Sequence, residues 1–178
     1  KNPPAVGGKG AGMTPYHIAA ADGQLEVCKL FLETLTDKNP YNTQQDYTPL
    51  HLAALFGRLE VCKLISESVE DKNPVAIDGS VPLHCAALFG RLEILRFFLR
   101  NGVDRRSISN GETPIQIAAS HGHFRSCLFL MGNLQDTVSF FKGIKIWKNN
   151  STKAKFLVNT LILLFGAMVI MLIISVFL

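Results

Sequence analysis

One seven-residue block occurs four times in the chain: TPYHIAA from Thr14, TPLHLAA from Thr48, VPLHCAA from Val81 and TPIQIAA from Thr113. The intervals are 34, 33 and 32 residues, and a glycine stands eight residues after each proline, at Gly23, Gly57, Gly90 and Gly122. A short unit repeated in tandem cannot bury its apolar face alone and must stack on its neighbours, which constrains the chain to a repeat solenoid.

The third copy shows what one unit should form. Pro82 suits the first turn of a helix, where its missing N–H has no intrahelical partner. Leu83, Ala86 and Ala87 follow at helical spacing, the alanines leave room for a close neighbour, and Gly90 ends the segment where a positive φ is wanted. A second helix is predicted over RLEILRFFL. Its apolar Leu92, Leu95, Phe98 and Leu99 recur at offsets of three and four, so these are expected to be buried while Glu93, Arg96 and Arg100 stay wet. Between helix pairs, AIDGS around Gly79 and SNGE around Gly111 read as two-residue hairpin turns. The second copy has Asp46 at the turn, a residue type that tolerates left-handed backbone.

The block, the period near 33 and the glycine spacing make residues 14 to about 132 closely similar to ankyrin repeats. The resemblance implies an all-α stack of helix-turn-helix pairs joined by short hairpin loops, occupying 1–133. The chain opens on Lys1-Asn2-Pro3, which matches the end of DKNP at Asp37 to Pro40 and Asp71 to Pro74, and it lacks an initiating methionine. An N-terminally truncated array is the expectation. The fourth copy departs from pattern at Gln116, Ser126 and Leu128, as a terminal repeat should.

A second domain follows. Phe156 to Leu178 carries no charge; at about 1.5 Å per residue the run reaches roughly 34 Å, enough for a hydrocarbon core of about 30 Å. A C-terminal transmembrane helix is expected over 156–178, tail-anchored in topology. The juxtamembrane linker 134–155 holds Lys142, Lys145, Lys148, Lys153 and Lys155, and no acidic residue follows Asp136. That bias places the repeats in the cytosol. Trp147, Lys148, Lys153 and Lys155 are the membrane-interface residues expected to meet the headgroups and anionic lipid. VSFFKGIKIWK has two readings, a surface amphipathic helix or a cap on the last repeat. The absence of a basic residue after the span favours the endoplasmic reticulum. Overlapping sequons at Asn149 and Asn150 fall on the cytosolic side in this orientation.

The juxtamembrane lysines account for the net charge of +4. The repeats lack the basic stripe a phosphate backbone requires, so nucleic acid is not an expected partner. Cys28, Cys62 and Cys127 recur at one position of the second helix, and Cys85 lies on a first helix. Stacked helices sit about 8 to 10 Å apart, beyond disulfide reach, and we read all four as free, buried thiols. Their even spacing offers no metal cluster. His17, His51 and His84 recur once per copy without a repeated nucleophile or carboxylate, which points to architecture, not catalysis; by resemblance to ankyrin repeats they hydrogen-bond backbone near the inter-repeat loop. Neither an enzyme activity nor a cofactor or small-molecule substrate is expected.

By the same resemblance, the residues after the alanine pair and the hairpin tips line a concave binding surface. Here these are Ala21 and Asp22, Leu55 and Phe56, Leu88 and Phe89, Ser120 and His121. The middle pairs are apolar: exposed side by side, Leu55, Phe56, Leu88 and Phe89 are with Tyr47 the candidate partner-binding residues, Tyr47, Gln45, Ser80 and Glu112 giving a polar rim; folded back between repeats, the same rings are core. The expectation is a membrane-anchored adaptor or scaffold that binds a protein. The alternative is the cytosolic domain and first span of an ankyrin-containing ion channel.

Overall fold

The computed structural model describes residues 12–43, 46–131 and residue 140. Eight helices are formed by these residues: α1 (Pro15–Asp22), α2 (Leu25–Thr34), α3 (Pro49–Phe56), α4 (Leu59–Ser68), α5 (Pro82–Leu88), α6 (Leu92–Arg100), α7 (Pro114–Ser120) and α8 (Phe124–Leu130). They form four helix pairs, each started and stopped by the same local chemistry. Proline occupies the first turn of α1, α3, α5 and α7, after an extended N-cap residue at Thr14, Thr48, Val81 and Thr113. At the other end Gly23 and Gly57 take φ of 81°, a left-handed conformation that costs a residue with a Cβ about 1–2 kcal/mol. That turn lets Gln24 N–H reach Ala19 O at 2.9 Å and Arg58 N–H reach Ala53 O at 2.8 Å, which satisfies carbonyls otherwise orphaned at the helix end.

First helices pack on first helices in the order α1, α3, α5, α7, and second helices form a looser parallel row, α2, α4, α6, α8. The alanine pairs explain the tighter row: Ala19 and Ala20, Ala53 and Ala54, Ala86 and Ala87, Ala118 and Ala119 are all buried. With no side chain beyond Cβ, they let the backbones approach. The core runs continuously through the stack, from Tyr16 and Leu50 through Leu83, Leu95 and Phe98 to Ile115 and Leu130.

The expected apolar stripe of α6 needs correction. Ile94, Leu95 and Phe98 are buried, whereas Leu92 and Leu99 are only half-buried. A second helix faces its own first helix and also the second helix of the preceding pair, so its buried arc is rotated from the one a single-partner reading selects. Arg96 is half-buried as well, its guanidinium 5.3 Å from the Phe129 ring centroid.

The hairpins also differ from one another. Asn110 and Gly111 both have positive φ, at 48° and 80°, and Ser109 and Glu112 exchange both backbone hydrogen bonds at 2.9 and 2.8 Å. This is the two-residue turn expected of SNGE. AIDGS is instead a three-residue loop: Gly79 N–H donates to Ala76 O at 3.0 Å, Ala76 N–H to Ser80 O at 2.8 Å, and Gly79 at φ 78° is the bulge residue. Asp46 adopts φ 53°, the left-handed backbone its position required.

Among the described residues no helix is long and apolar enough to cross a membrane. The stretch Phe156 to Leu178 and the interface residues Trp147, Lys148, Lys153 and Lys155 lie outside the described residues, as does Gln45. Phe140 is buried against the core, the placement a segment capping the last repeat would give; the rest of VSFFKGIKIWK also lies outside.

Candidate functional site

Two ladders of hydrogen bonds lock each repeat to the next and fix the surface that carries the candidate residues. The first uses the block histidines. Thr14 N–H donates to Nδ1 of His17 at 3.2 Å, so the ring carries its proton on Nε2, which donates to Tyr47 O of the next hairpin at 2.9 Å. His51 repeats the arrangement between Thr48 N–H and Ser80 O, and His84 between Val81 N–H and Ser107 O, with bridging distances of 3.1 and 3.0 Å. Each ring must be neutral to accept on one nitrogen while donating from the other. Burial, the largest influence, lowers the basicity of all three, and His51 falls to a pKa of about 4. Gln116 keeps the inner half of the device: its Oε1 accepts Thr113 N–H at 2.8 Å.

The second ladder was not anticipated from the sequence. Arg58 Nε donates to Ala21 O at 2.9 Å, Arg91 Nε to Leu55 O at 3.3 Å, and His123 Nε2 lies 3.0 Å from Leu88 O. These side chains cross the glycines of the preceding repeat. A Cβ built on Gly23 would sit 2.8 Å from Arg58 Cδ, and one on Gly90 2.6 Å from His123 Cγ. The signal was present in the chain as a long donor directly after the glycine, in Gly57-Arg58, Gly90-Arg91 and Gly122-His123.

Phe56 is the last residue of α3 and Phe89 caps the C-terminus of α5, at equivalent positions of the repeat, and they are 47% and 49% exposed. Their neighbours Leu55 and Leu88 are half-buried, and Leu55 packs against the core. The Arg91 guanidinium lies 5.7 Å from the Phe89 ring centroid, a cation–π distance. Tyr47 is half-buried, stacked on His51 with ring centroids 5.1 Å apart, and its hydroxyl points to Asp78 Oδ2 at 3.5 Å. Burial pushes its phenol up to about 12. Ala21 and Ser120 are half-buried; Asp22 and His121 are exposed.

Of the expected rim, Glu112 is half-buried and Ser80 is buried. Ser80 braces adjacent hairpins instead of meeting solvent, with its Oγ 2.7 Å from Ser109 Oγ and 2.9 Å from Asp78 Oδ2. Asp78 organises this region. Its Oδ1 accepts Ser80 N–H at 2.8 Å, and its carbonyl accepts Asn110 N–H at 3.2 Å.

All four cysteines are buried, and burial raises every thiol, Cys28 to about 11 and Cys85 and Cys127 to about 12. They are protonated at neutral pH and packed as small apolar groups.

A family model of ankyrin repeats in three copies matches residues 3–78, and a second, of ankyrin repeats in many copies, matches residues 83–131. Comparison with curated proteins found no match.

Proposed function

The chain belongs to the ankyrin-repeat family, and from that premise we propose that it is a membrane-anchored interaction module. Ankyrin repeats suggest protein binding in general. The finer reading is that a protein partner docks on the concave face over Leu55, Phe56, Leu88, Phe89 and Tyr47. One observation carries it: Phe56 and Phe89 present half-exposed rings at equivalent positions of adjacent repeats, on helices that two hydrogen-bond ladders hold rigid. Aromatic anchors on a preorganised surface lose little entropy on binding.

The membrane part rests on the uncharged run Phe156 to Leu178 and on the lysines before it. Trp147, Lys148, Lys153 and Lys155 meet the headgroups, the repeats face the cytosol, and the membrane is that of the endoplasmic reticulum.

The two parts are tested separately. Phe56→Ala combined with Phe89→Ala should abolish capture of the partner, identified by mass spectrometry, while helical circular dichroism is unchanged; loss of folding together with capture would sink the patch. For the anchor, alkaline carbonate should leave the full chain in the membrane pellet and release a chain ending at Lys155. Equal release of both chains would remove the span.

A further inference from the structure

We propose that the cleft between the hairpins around Gly79 and Gly111 receives one basic side chain, arginine or lysine, from the partner polypeptide; this rests on the protein-binding reading and specifies the partner's chemistry. The cleft holds about 170 Å³. Sites for drug-sized ligands run from about 300 Å³ upward, so this one takes a single side chain. Leu88 and Ile117 give it an apolar lining, and Tyr47, Asp78, Glu112 and His121 supply polar groups. An aliphatic stem with a cationic head matches that division: the methylenes cover Leu88 and Ile117 while the head reaches the carboxylates.

Charge complementarity selects the occupant. The ion pairs among the described residues all lie on second helices, Glu26 with Lys29, Glu60 with Lys63 and Glu93 with Arg96. Asp78 and Glu112 have no such pairing there. The bonds from Ser80 N–H and Oγ orient the Asp78 carboxylate without neutralising it. Both residues line the cleft, and a cation entering it is attracted by their negative charge. Of the two histidines that line the cleft, His84 is the buried, neutral ring held between Val81 N–H and Ser107 O, and His121 has its Nδ1 3.0 Å from the Ile117 carbonyl, turned to its own helix. Leu88 belongs to the cleft and the adjacent Phe89 is exposed, so the partner segment carries its basic residue next to an apolar one.

The test is selection from a random peptide library displayed on phage, against the full chain in detergent micelles, followed by affinity measurement of the selected peptides. Arginine or lysine beside an apolar residue should be enriched. Affinity should fall about tenfold with Glu112→Gln, as expected when one partner of a charge pair in a cleft is removed. Asp78→Asn, which can still accept from Ser80, should act in the same direction with unchanged circular dichroism. Peptides that depend on Phe56 and Phe89 but lack basic residues, or basic peptides indifferent to both substitutions, would overturn the cleft assignment and leave the protein-binding face standing. Recovery of no peptide would overturn both.

Discussion

The second helices of the first two repeats begin with the same six residues, LEVCKL, yet they are buried differently. In α4, Val61 is 2% exposed, and Cys62, Ile65 and Ser66 are buried with it; in α2, Val27 is 39% exposed and only Cys28 and Leu32 are buried. The local sequence cannot cause this. Val61 lies on a helix against which α2 packs, whereas no described helix lies on the N-terminal side of α2. The cysteine at the next position, Cys28 or Cys62, is buried in both. Burial in a solenoid is therefore two properties, one owned by the unit and one conferred by its neighbour.

The largest break in that comparison should come from charge. Val61→Asp places a carboxylate in the interface between repeats and should cost several kcal/mol or unfold the array, while Val27→Asp should shift stability by about 0.5 kcal/mol or less. Urea denaturation of the full chain in detergent micelles measures both. Similar losses would mean that Val27 is covered.

Acid should act next, through the neutral histidines of the ladder. The folded pKa of His51, about 4, lies below its ordinary 6.5, so the unfolded chain binds the extra proton between those values. The stabilisation is complete above pH 6.5 and is lost as pH falls toward 4, by up to about 3 kcal/mol for this residue. His17 and His84 act in the same direction. His51→Gln, which copies Gln116, should keep the cap, lose the bridge to Ser80 O and flatten this part of the pH profile; an unchanged profile would assign the acid sensitivity elsewhere.

A smaller contrast separates glycines at contacts from glycines at open turns. Gly90→Ala must strain a φ of 62° and displace His123, whereas Gly102→Ala meets nothing within 4 Å and strains only its φ of 83°. Both should destabilise, Gly102→Ala by about 1–2 kcal/mol and Gly90→Ala by more. Equal losses in urea titrations would show that the His123 bridge yields freely. The smallest effect is the control: Lys29→Ala and Lys63→Ala each remove an exposed pair with the preceding glutamate, and both should change stability by less than about 0.5 kcal/mol. A surface pair within one helix should not sense its neighbouring repeat.

The sequence made the first helices legible nearly residue by residue. Proline, the alanine pair and glycine act within one turn of themselves, so their effects are local and repeat wherever the letters do. Asp46 was readable for the same reason. The candidate site was legible only in part: Phe56 and Phe89 could be placed at helix ends, but their exposure, the half-burial of Leu55 and Leu88, and the burial of Ser80 depend on adjacent hairpins. The role of Asp78 was not legible, because nothing in AIDGS distinguishes a solvated turn carboxylate from one that holds the next hairpin.

The sequence by itself determined the repeat unit, the limits of its helices and the family, because capping, turn conformation and apolar spacing are governed by contacts between residues close in the chain. Only the tertiary structure decided which identical residues are buried, that Ile94 belongs to the core more fully than Leu92, and that Arg58, Arg91 and His123 bind the repeats together. Those properties arise from contacts more than thirty residues apart in three of the bridging bonds, and they exist only once one repeat has stacked against another.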